Sequence, residues 1–301
     1  MLDRETRRQL SELARRTRQV TGEAPYASRV PHRCEPDSAP PASLVGACRV
    51  GAADPVHGPL HLLLPGEVRS VPEGEYYELR TPVSHCGDWA AAAVGRWLQA
   101  ARRGEWVLPG AARGSLDPGT VLFMDTETTG LGNEPLFLVG LLSVEQGLPV
   151  LTQLLARDYA EEAAVLAEAA RRMVSSALLV TYNGAQFDLP YVRNRLRYHR
   201  LRAPRFEPHL DLLRVARSRL RRTLGDCKLQ TLERHLCGRQ RVADIPGAEI
   251  PQAYHDFVAD GDACRLRQIV MHNSLDLITL AELAAHLLAG EAGSSALEAK
   301  G

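Results

Sequence analysis

The sequence lacks the marks of several protein classes. Its six cysteines include no CxxC pair, so neither a zinc knuckle nor a disulfide framework is indicated, and reduced thiols are expected. No apolar stretch approaches the length of about eighteen residues that a membrane span needs. The formal net charge is zero, so the overall charge indicates no polyanionic partner.

The first twenty residues also lack the apolar core of a secretion signal. They are rich in arginine, as transit peptides are, but the acidic residues Asp3, Glu5 and Glu12 argue against that class. We therefore expect a cytoplasmic protein that does not engage a membrane.

The first 117 residues contain no recognisable chemical motif, and a structural or partner-binding role is expected for them. We predict a polar helix and a proline-rich linker over 1–42, followed by a small accessory α+β region over 43–117. The expected strands of this region are SLVGACRV (43–50), PLHLLLP (59–65) and EYYELR (75–80), and its expected helix covers 88–103.

From residue 118 to residue 290 the pattern is that of an α/β domain, and 291–301 is predicted to be a flexible tail. Apolar runs predict the strands, and stretches with helical periodicity fill the intervals. The predicted strands are 121–127, 136–144, 149–156 and 176–183, and the predicted helices are 160–174, one from Phe187 onward, one capped by Asp211, 227–237, IPQAYHDFV and 263–290.

A basic stretch lies within this domain. Between Arg193 and Arg222 there are eleven arginines in thirty residues, opposed only by Glu207 and Asp211. Guanidinium groups pair with phosphates, and neutralising several phosphates gives sequence-independent, salt-sensitive binding. A solvated helix face is the other interpretation. Beside the acidic motifs described next, the stretch favours contact with nucleic acid.

Two acidic residues end the first strand of the α/β domain, in FMDTETTGL. Asp125 and Glu127 are separated by one residue, so on a strand both carboxylates point to the same face, about 7 Å apart. Unpaired charges are costly on a strand as apolar as VLFM. A bound cation therefore explains the pair better than two solvated acids at a strand end.

Two further acids follow in order along the chain. Asp188 comes directly after a strand and a YNG turn, where a second strand end would bring it beside the first pair. Asp276 lies four residues after His272, so the two side chains share one face of the closing helix. Each of these three residues has a structural explanation when taken singly. Their order after the DxE motif favours one common site.

Carboxylate oxygens select a particular class of metal. With few histidine or cysteine ligands, such a site suits Mg²⁺ or Mn²⁺ rather than zinc. Two such ions about 4 Å apart stabilise the attacking and leaving oxygens of an in-line phosphodiester displacement. A histidine, with an ordinary pKa of about 6.5, can accept a proton from the attacking water.

The motifs resemble those of the DEDD (DnaQ-like) 3′-to-5′ exonucleases, a branch of the ribonuclease H-like superfamily. DTETTGL, YNGAQFD and the terminal HxxxD correspond in order to the three exonuclease motifs. YNGAQFDLPYVRNR, HLDLLRVAR, KLQTLERHLCG, ADIPGAEIP and HNSLDL resemble the YprB-like group of bacterial predicted exonucleases. The likeness covers 118–290 and implies a mixed five-stranded sheet flanked by helices.

The resemblance also implies roles for individual residues. Two divalent ions, Mg²⁺ or Mn²⁺, would be held by four metal ligands, and a histidine would be the general base. These residues are Asp125, Glu127, Asp188 and Asp276 as ligands and His272 as the base. The spacing HxxxD is that of the tyrosine subclass, whereas the histidine subclass has HxxxxD, so the base is the assignment most in need of a test.

Substrate contacts are predicted for residues that lie close in sequence to the first two acidic motifs. In similar enzymes the residues after DxE hold the 3′-terminal nucleotide, which makes Thr128 and Leu131 candidates. Asn183 of the YNG turn, with Arg193 and Arg195 at the start of the basic stretch, completes the predicted set.

We therefore predict a metal-dependent 3′-to-5′ exonuclease that favours DNA and acts in bacterial DNA repair or processing. Its expected partners are nucleic acid with a free 3′ end and, at the level of the family, a helicase. Three alternatives stay open: an RNA-directed exonuclease, a resolvase-like or ribonuclease H-type endonuclease, and a nucleic-acid-binding scaffold with a vestigial site. No residue pattern in the sequence reads a 2′-hydroxyl, so the sugar of the substrate is undecided.

Overall fold

The computed structural model describes residues 57–104, 106, 117–206, 208–242 and 244–288. The segments predicted over 1–42 and 291–301, and the strand predicted at 43–50, lie outside these residues. Among the described residues, no helix has the length and apolar character needed to cross a bilayer.

A mixed sheet of seven strands is the framework of the described chain. Its strands are β1 (Glu67–Val71), β2 (Gly74–Pro82), β3 (Val121–Thr128), β4 (Leu136–Glu145), β5 (Leu148–Leu155), β6 (Leu178–Thr181) and β7 (His209–Asp211). Their order across the sheet is β1-β2-β5-β4-β3-β6-β7. Neighbouring strands from β1 to β3 are antiparallel, while β6 and β7 continue the sheet in parallel with β3. The predicted mixed sheet is confirmed.

The sheet has two strands more than predicted, because β1 and β2 come from the upstream region. Strand β2 pairs with β5 from Tyr77 opposite Leu155 to Pro82 opposite Val150, so the upstream strands extend the edge of the same sheet. The five strands β3 to β7 form the rest. Strand β7 has only three residues, too few to show an alternating pattern in the sequence.

Helices flank the sheet, and the positions of all but the first agree with the prediction to within a few residues. They are α1 (Leu60–Leu63), α2 (Asp88–Arg102), α3 (Glu162–Ser175), α4 (Asp188–Tyr198), α5 (Leu212–Leu224), α6 (Leu229–Leu236), α7 (Ile250–Asp260) and α8 (Cys264–Leu288). The strand predicted at 59–65 is wrong, since α1 occupies it. A short apolar run is compatible with either element, and this one buries Leu63 and Leu64 through a single helical turn.

A tight turn sets the register of the central hairpin. Gln146 and Gly147, which join β4 to β5, both have positive φ angles, 50° and 81°. Such angles at both central residues are typical of the two-residue turn that matches the twist of antiparallel strands. The hairpin thereby places Gly140 of β4 opposite Gln153 of β5, and the pairing of β4 with β3 places Gly140 opposite Asp125.

Strand β3 lies between two hydrophobic cores. Leu122 and Met124 pack into one core, while Val121 and Phe123 pack into the other, as the alternation of side chains along a strand requires. The carboxylates of Asp125 and Glu127 follow at the end of the strand that this packing holds rigid.

Helix α8 contributes to both cores and packs against β3, β4 and β5. Its first half, around Leu266, packs into the core that contains Leu122, and its second half, from Leu277 onward, packs into the core that contains Phe123. The segment between these halves carries His272 and Asp276, which places both residues beside the end of β3.

Candidate active site

A cavity of about 560 Å³ opens where β3 ends. Residues from β3, the start of α4, the middle of α8 and the segment before α7 line it. The lining includes all four predicted acids and the predicted base, which are Asp125, Glu127, Asp188, Asp276 and His272. The fold therefore brings together residues from four separate stretches of the chain.

Asp125 is held in place by a buried amide network. Asn273 Nδ2 donates a hydrogen bond of 2.9 Å to Asp125 Oδ2, and Gln153 Nε2 donates one of 2.9 Å to Asn273 Oδ1. Burial raises the pKa of Asp125 well above its usual range, and the carboxylates of Asp276, Glu127 and Asp188 raise it further. The carboxylate is thus fixed in an environment that opposes its own ionisation.

The pKa values of Glu127 and Asp188 are raised as well. Burial raises the pKa of Glu127 to about 8, with His272 opposing the shift and the nearby carboxylates adding to it. Burial also raises the pKa of Asp188 to about 6, although the hydroxyl of Thr126 donates a 2.5 Å hydrogen bond to its Oδ1 and limits the shift. Three neighbouring acids with raised pKa values form a site in which a bound cation would favour the ionised carboxylates.

His272 lies between two carboxylates. Its Nδ1 is 2.7 Å from Asp244 Oδ1, and its Nε2 is 3.5 Å from Asp276 Oδ2. Burial by itself lowers the pKa of His272, but the hydrogen bond with Asp244 and the charges of Asp276 and Glu127 outweigh burial and raise the pKa to about 9. The two flanking carboxylates therefore favour the protonated ring.

The predicted substrate contacts divide into two groups. Thr128, Leu131 and Asn183 line the cavity, and the side chain of Leu131 is 87% exposed. Arg193 and Arg195 are not among the lining residues. Arg193 is half-buried, with its guanidinium over the ring of Phe206, and its contact with substrate stays a prediction.

The interpretation of Arg195 as a substrate contact does not fit the structure. Arg195 is only 3% exposed, and its guanidinium forms a paired contact with both carboxylate oxygens of Glu162 and donates a 2.6 Å hydrogen bond to the carbonyl oxygen of Asn133. A buried arginine with these partners is unavailable to a phosphate. The sequence gives no sign of this, because Glu162 lies on a different helix, 33 residues away along the chain.

Four residues that contact the acids or the base are absent from the sequence prediction: Thr126, Asn273, Arg241 and Asp244. Arg241 donates to Glu233, Asp244 and Asp276 and is 6% exposed. Asn273 has a signal in hindsight, since it stands between His272 and Asp276 in HNSLD. Arg241 and Asp244 have no secondary-structure pattern around them, so only the fold reveals their position.

A second cluster could be mistaken for a metal centre. Ligand atoms of Cys237, Glu282 and His286 all lie within 4.8 Å of one another, the arrangement found for no other group of three in the described ranges. Both oxygens of Glu282 are already paired, however, one with Arg96 and one with Arg239. Burial and the charge of Glu282 raise the pKa of the Cys237 thiol. Two guanidiniums and a protonated thiol fit a cation poorly.

Comparison with known proteins identifies the family. Residues 122–288, more than half of the chain, match the family profile described as the RNase H superfamily. The chain belongs to the RNase H superfamily. Nucleases of this superfamily act on phosphodiester bonds of nucleic acid and generally use divalent metal ions.

Similar individual proteins include a bacterial relative and a solved polymerase structure. An uncharacterized protein, YprB of Bacillus subtilis (strain 168), is 33% identical over 172 residues, which cover 56% of this chain. The chain spans about two fifths of the length of that relative, since the match covers 41% of it. A solved structure of the family B DNA polymerase from the archaeon Pyrobaculum calidifontis aligns over 59% of this chain and 25% of its own, with 16% identity and a TM-score of 0.48.

The donor set of the cavity fits divalent metal ions. Four carboxylates line it, and burial and mutual repulsion raise the pKa values of three of them. Oxygen ligands of this kind suit hard cations. The one histidine beside them is paired with Asp244 through Nδ1, and of the five Asp, Glu and His side chains that line the cavity, four are carboxylates and one is an imidazole.

Proposed function

We propose that this protein is a metal-dependent 3′-to-5′ exonuclease of the DEDD type, acting preferentially on DNA. The observation that carries the proposal is the single cavity in which Asp125, Glu127, Asp188, Asp276 and His272 meet. Superfamily membership supports a nucleic-acid substrate. The order of the three sequence motifs supports the 3′-to-5′ direction, and a bacterial repair or processing role, in the cytoplasm and with a helicase as a partner, is a further part of the proposal.

The four acids would hold two ions, Mg²⁺ or Mn²⁺. Such ions, when bound, lower the pKa of a coordinated water and stabilise negative charge on phosphoryl oxygens. The positive charge of such ions would also offset the repulsion between the carboxylates, which otherwise raises the pKa values of these groups.

His272 would take the proton of the attacking water at Nε2. Its raised pKa of about 9 arises in part from the carboxylates of Asp276 and Glu127. Cations that neutralise these carboxylates weaken their hold on the imidazolium and favour the neutral ring, which can accept a proton. The exposed side chain of Leu131 and the hydroxyl of Thr128, both on the cavity wall, would contact the terminal nucleotide.

Cleavage of end-labelled substrates tests the proposal. Purified protein is incubated with 5′-labelled single-stranded DNA, duplex DNA and RNA in Mg²⁺, Mn²⁺ or EDTA, and with closed circular single-stranded DNA. We expect a metal-dependent ladder that shortens from the 3′ end and no cleavage of the circle. Preference for RNA would change the substrate, whereas cleavage of the circle would indicate an endonuclease. No cleavage of any substrate in either metal would rule out the enzymatic proposal.

Gly140 gives a test of how the acids are supported. A Cβ atom at Gly140 would lie 1.9 Å from Asn273 Oδ1, so Gly140→Ala must displace the amide that holds Asp125. Loss of such an orienting contact typically weakens metal binding by about 10- to 100-fold, and we expect a loss of that size in calorimetric titration with Mn²⁺. Gly95→Ala in α2 is the matched control, because a Cβ there meets nothing within 4 Å in the described chain. Equal Mn²⁺ affinity in the two variants would contradict the role assigned to Asn273.

The basic stretch contributes an exposed surface on α5. Arg214, Arg217, Arg219, Arg221 and Arg222 are all exposed, and none of them pairs with a carboxylate in the described part of the chain. The Asp211 carboxylate that caps α5 also accepts a hydrogen bond from the backbone N–H of Asn183, which lines the cavity. Helix α5 therefore begins beside the cavity, and its arginines would hold the phosphates of the strand that leads to it.

Salt dependence of binding tests this surface. Arg214, Arg217 and Arg221 share one face of α5 by their spacing, and each phosphate contact on a single strand contributes about 0.7 to the slope of log K against log salt. Replacing all three with glutamine should reduce the slope by about 2 in anisotropy titrations with single-stranded DNA in EDTA. The control replaces Arg69, Arg80 and Arg171, which are paired with carboxylates elsewhere. An unchanged slope in the α5 variant would remove the surface from the substrate path.

A further inference from the structure

The loop between α6 and α7 holds one residue against the histidine of the cavity. Asp244 lies in this loop, in the segment ADIPG, and its Oδ1 is 2.7 Å from His272 Nδ1. The side chains of Asp244 and His272 are only 12% and 13% exposed. The contact is therefore largely shielded from water, where a carboxylate–imidazole hydrogen bond is strongest.

Arg241 fixes the orientation of the Asp244 carboxylate. Its Nη1 donates a 3.1 Å hydrogen bond to Asp244 Oδ2, and its Nε donates one of 2.7 Å to Glu233 Oε2 on α6. The third contact of Arg241 is with Asp276 Oδ1. Because a guanidinium only donates hydrogen bonds, Oδ2 of Asp244 is committed to Arg241 and Oδ1 is left for His272.

This arrangement determines where the imidazole proton lies. An ionised carboxylate only accepts hydrogen bonds, so the Nδ1 atom that faces Asp244 must carry hydrogen. In the neutral ring Nε2 is then the unprotonated nitrogen, and it points to the side of Asp276, 3.5 Å from Oδ2. The ring nitrogen able to accept a proton is the one beside the cavity acids.

We propose that Asp244 is a positioning residue that keeps the proton of His272 on Nδ1 and turns Nε2 towards the cavity. The inference rests on the proposed function, since it gives His272 the geometry that a base for the attacking water needs. Two arginines of this loop, Arg239 and Arg241, form ion pairs with the same buried residue, Glu233 of α6. These ion pairs keep the loop, and with it Asp244, beside His272 of α8.

Asp244→Asn is the decisive substitution. It keeps the shape of the side chain but reverses the direction of the hydrogen bond between residue 244 and His272 Nδ1. Arg241 can only donate, so the amide oxygen stays on Arg241 and the NH₂ group faces His272 Nδ1. Nδ1 must then accept, which moves the ring proton to Nε2 and blocks that atom as a base. Removing a positioned base costs about 10²- to 10⁴-fold in rate, and we expect kcat to fall by about 10²-fold or more with little change in KM.

Two readouts separate positioning from mere support of the fold. The first is the tautomer of His272, read from long-range ¹⁵N–¹H correlations of the full chain at alkaline pH, where the ring is neutral. Wild type should carry the proton on Nδ1 and Asp244→Asn on Nε2. The second is a double-mutant cycle on kcat, in which Asp244→Asn should cost nothing further once His272→Ala is present. Asp260→Asn, at an exposed position on α7, is the control for the chemical change.

The outcomes are distinct for the inference and for the function on which it rests. An unchanged tautomer, or an equal loss of kcat with and without His272, would overturn the role of Asp244 while leaving an active exonuclease in place. If wild type cleaves nothing, the exonuclease proposal fails, and the tautomer measurement still decides whether Asp244 sets the ring.

Discussion

Asp125→Asn is expected to abolish nuclease activity and, at the same time, to raise the melting temperature of the metal-free protein. The two effects have one cause. Burial and the charges of Asp276, Glu127 and Asp188 raise the pKa of Asp125 well above its usual range, so its ionised form destabilises the folded state when no cation is present. Asparagine keeps the size of the side chain and the contact with Asn273 but carries no charge.

Loss of the charge also removes an essential part of the metal site. Added Mg²⁺ or Mn²⁺ should raise the melting temperature of wild type, because a ligand that binds only the folded state stabilises it. The same addition should have little effect on Asp125→Asn. Thermal melts in EDTA and in saturating metal, together with the cleavage assay, measure all of these quantities. The control is again Asp260→Asn, for which the melting temperature and cleavage should match wild type.

The sign of the pH dependence follows from the same pKa shift. A carboxyl group with a raised pKa in the folded state binds its proton there after the unfolded chain has released it, so the free energy of unfolding falls as pH rises from the ordinary value through the raised one. In Asp125→Asn this contribution to the fall in the free energy of unfolding is absent, because asparagine does not ionise. Its advantage over wild type in EDTA should therefore be small near pH 5 and should grow towards pH 8. A variant that is less stable than wild type across this range would contradict the electrostatic account of the cavity.

The parts of the site that the sequence predicts are those encoded by local pattern. Asp125 and Glu127 end an apolar strand, and Asp276 lies one helical turn after His272, so strand and helix geometry alone place each pair on one face. The capping role predicted for Asp211 is confirmed, since its carboxylate accepts from the backbone N–H of Leu213. These features need no knowledge of distant contacts.

The parts that the sequence does not predict depend on packing between distant segments. Asp244 reaches His272 across 28 residues, and Asn273 reaches Asp125 across 148. The position of Asp244 or Asn273 in the sequence follows no helical or strand spacing that would indicate its partner. The same reason explains the error at Arg195, because a run of arginines has the same composition whether a member faces solvent or a buried glutamate.

Arg195→Ala should destabilise the protein strongly instead of weakening substrate binding specifically. The Arg195 and Glu162 side chains are 4% and 2% exposed, and Glu162 also accepts hydrogen bonds from His199 and from the backbone N–H of Leu136. Removing one partner of a buried ion pair leaves an uncompensated charge and costs about 3–5 kcal/mol. Urea denaturation should show a loss of this size in the free energy of unfolding.

Arg197→Ala on the same helix separates this structural role from a role in binding. Arg197 is exposed, and substitutions at such positions usually change the free energy of unfolding by less than about 0.5 kcal/mol. If Arg195 contacted a phosphate, its removal would raise KM for an oligonucleotide while leaving the denaturation curve near that of wild type. The buried pairing with Glu162 requires the reverse: a shifted denaturation midpoint and, at temperatures where the variant is folded, an unchanged KM. The arginine that comes early in the basic stretch then belongs to the scaffold that carries β4 and α4, and the phosphate contacts are left to the exposed arginines that follow.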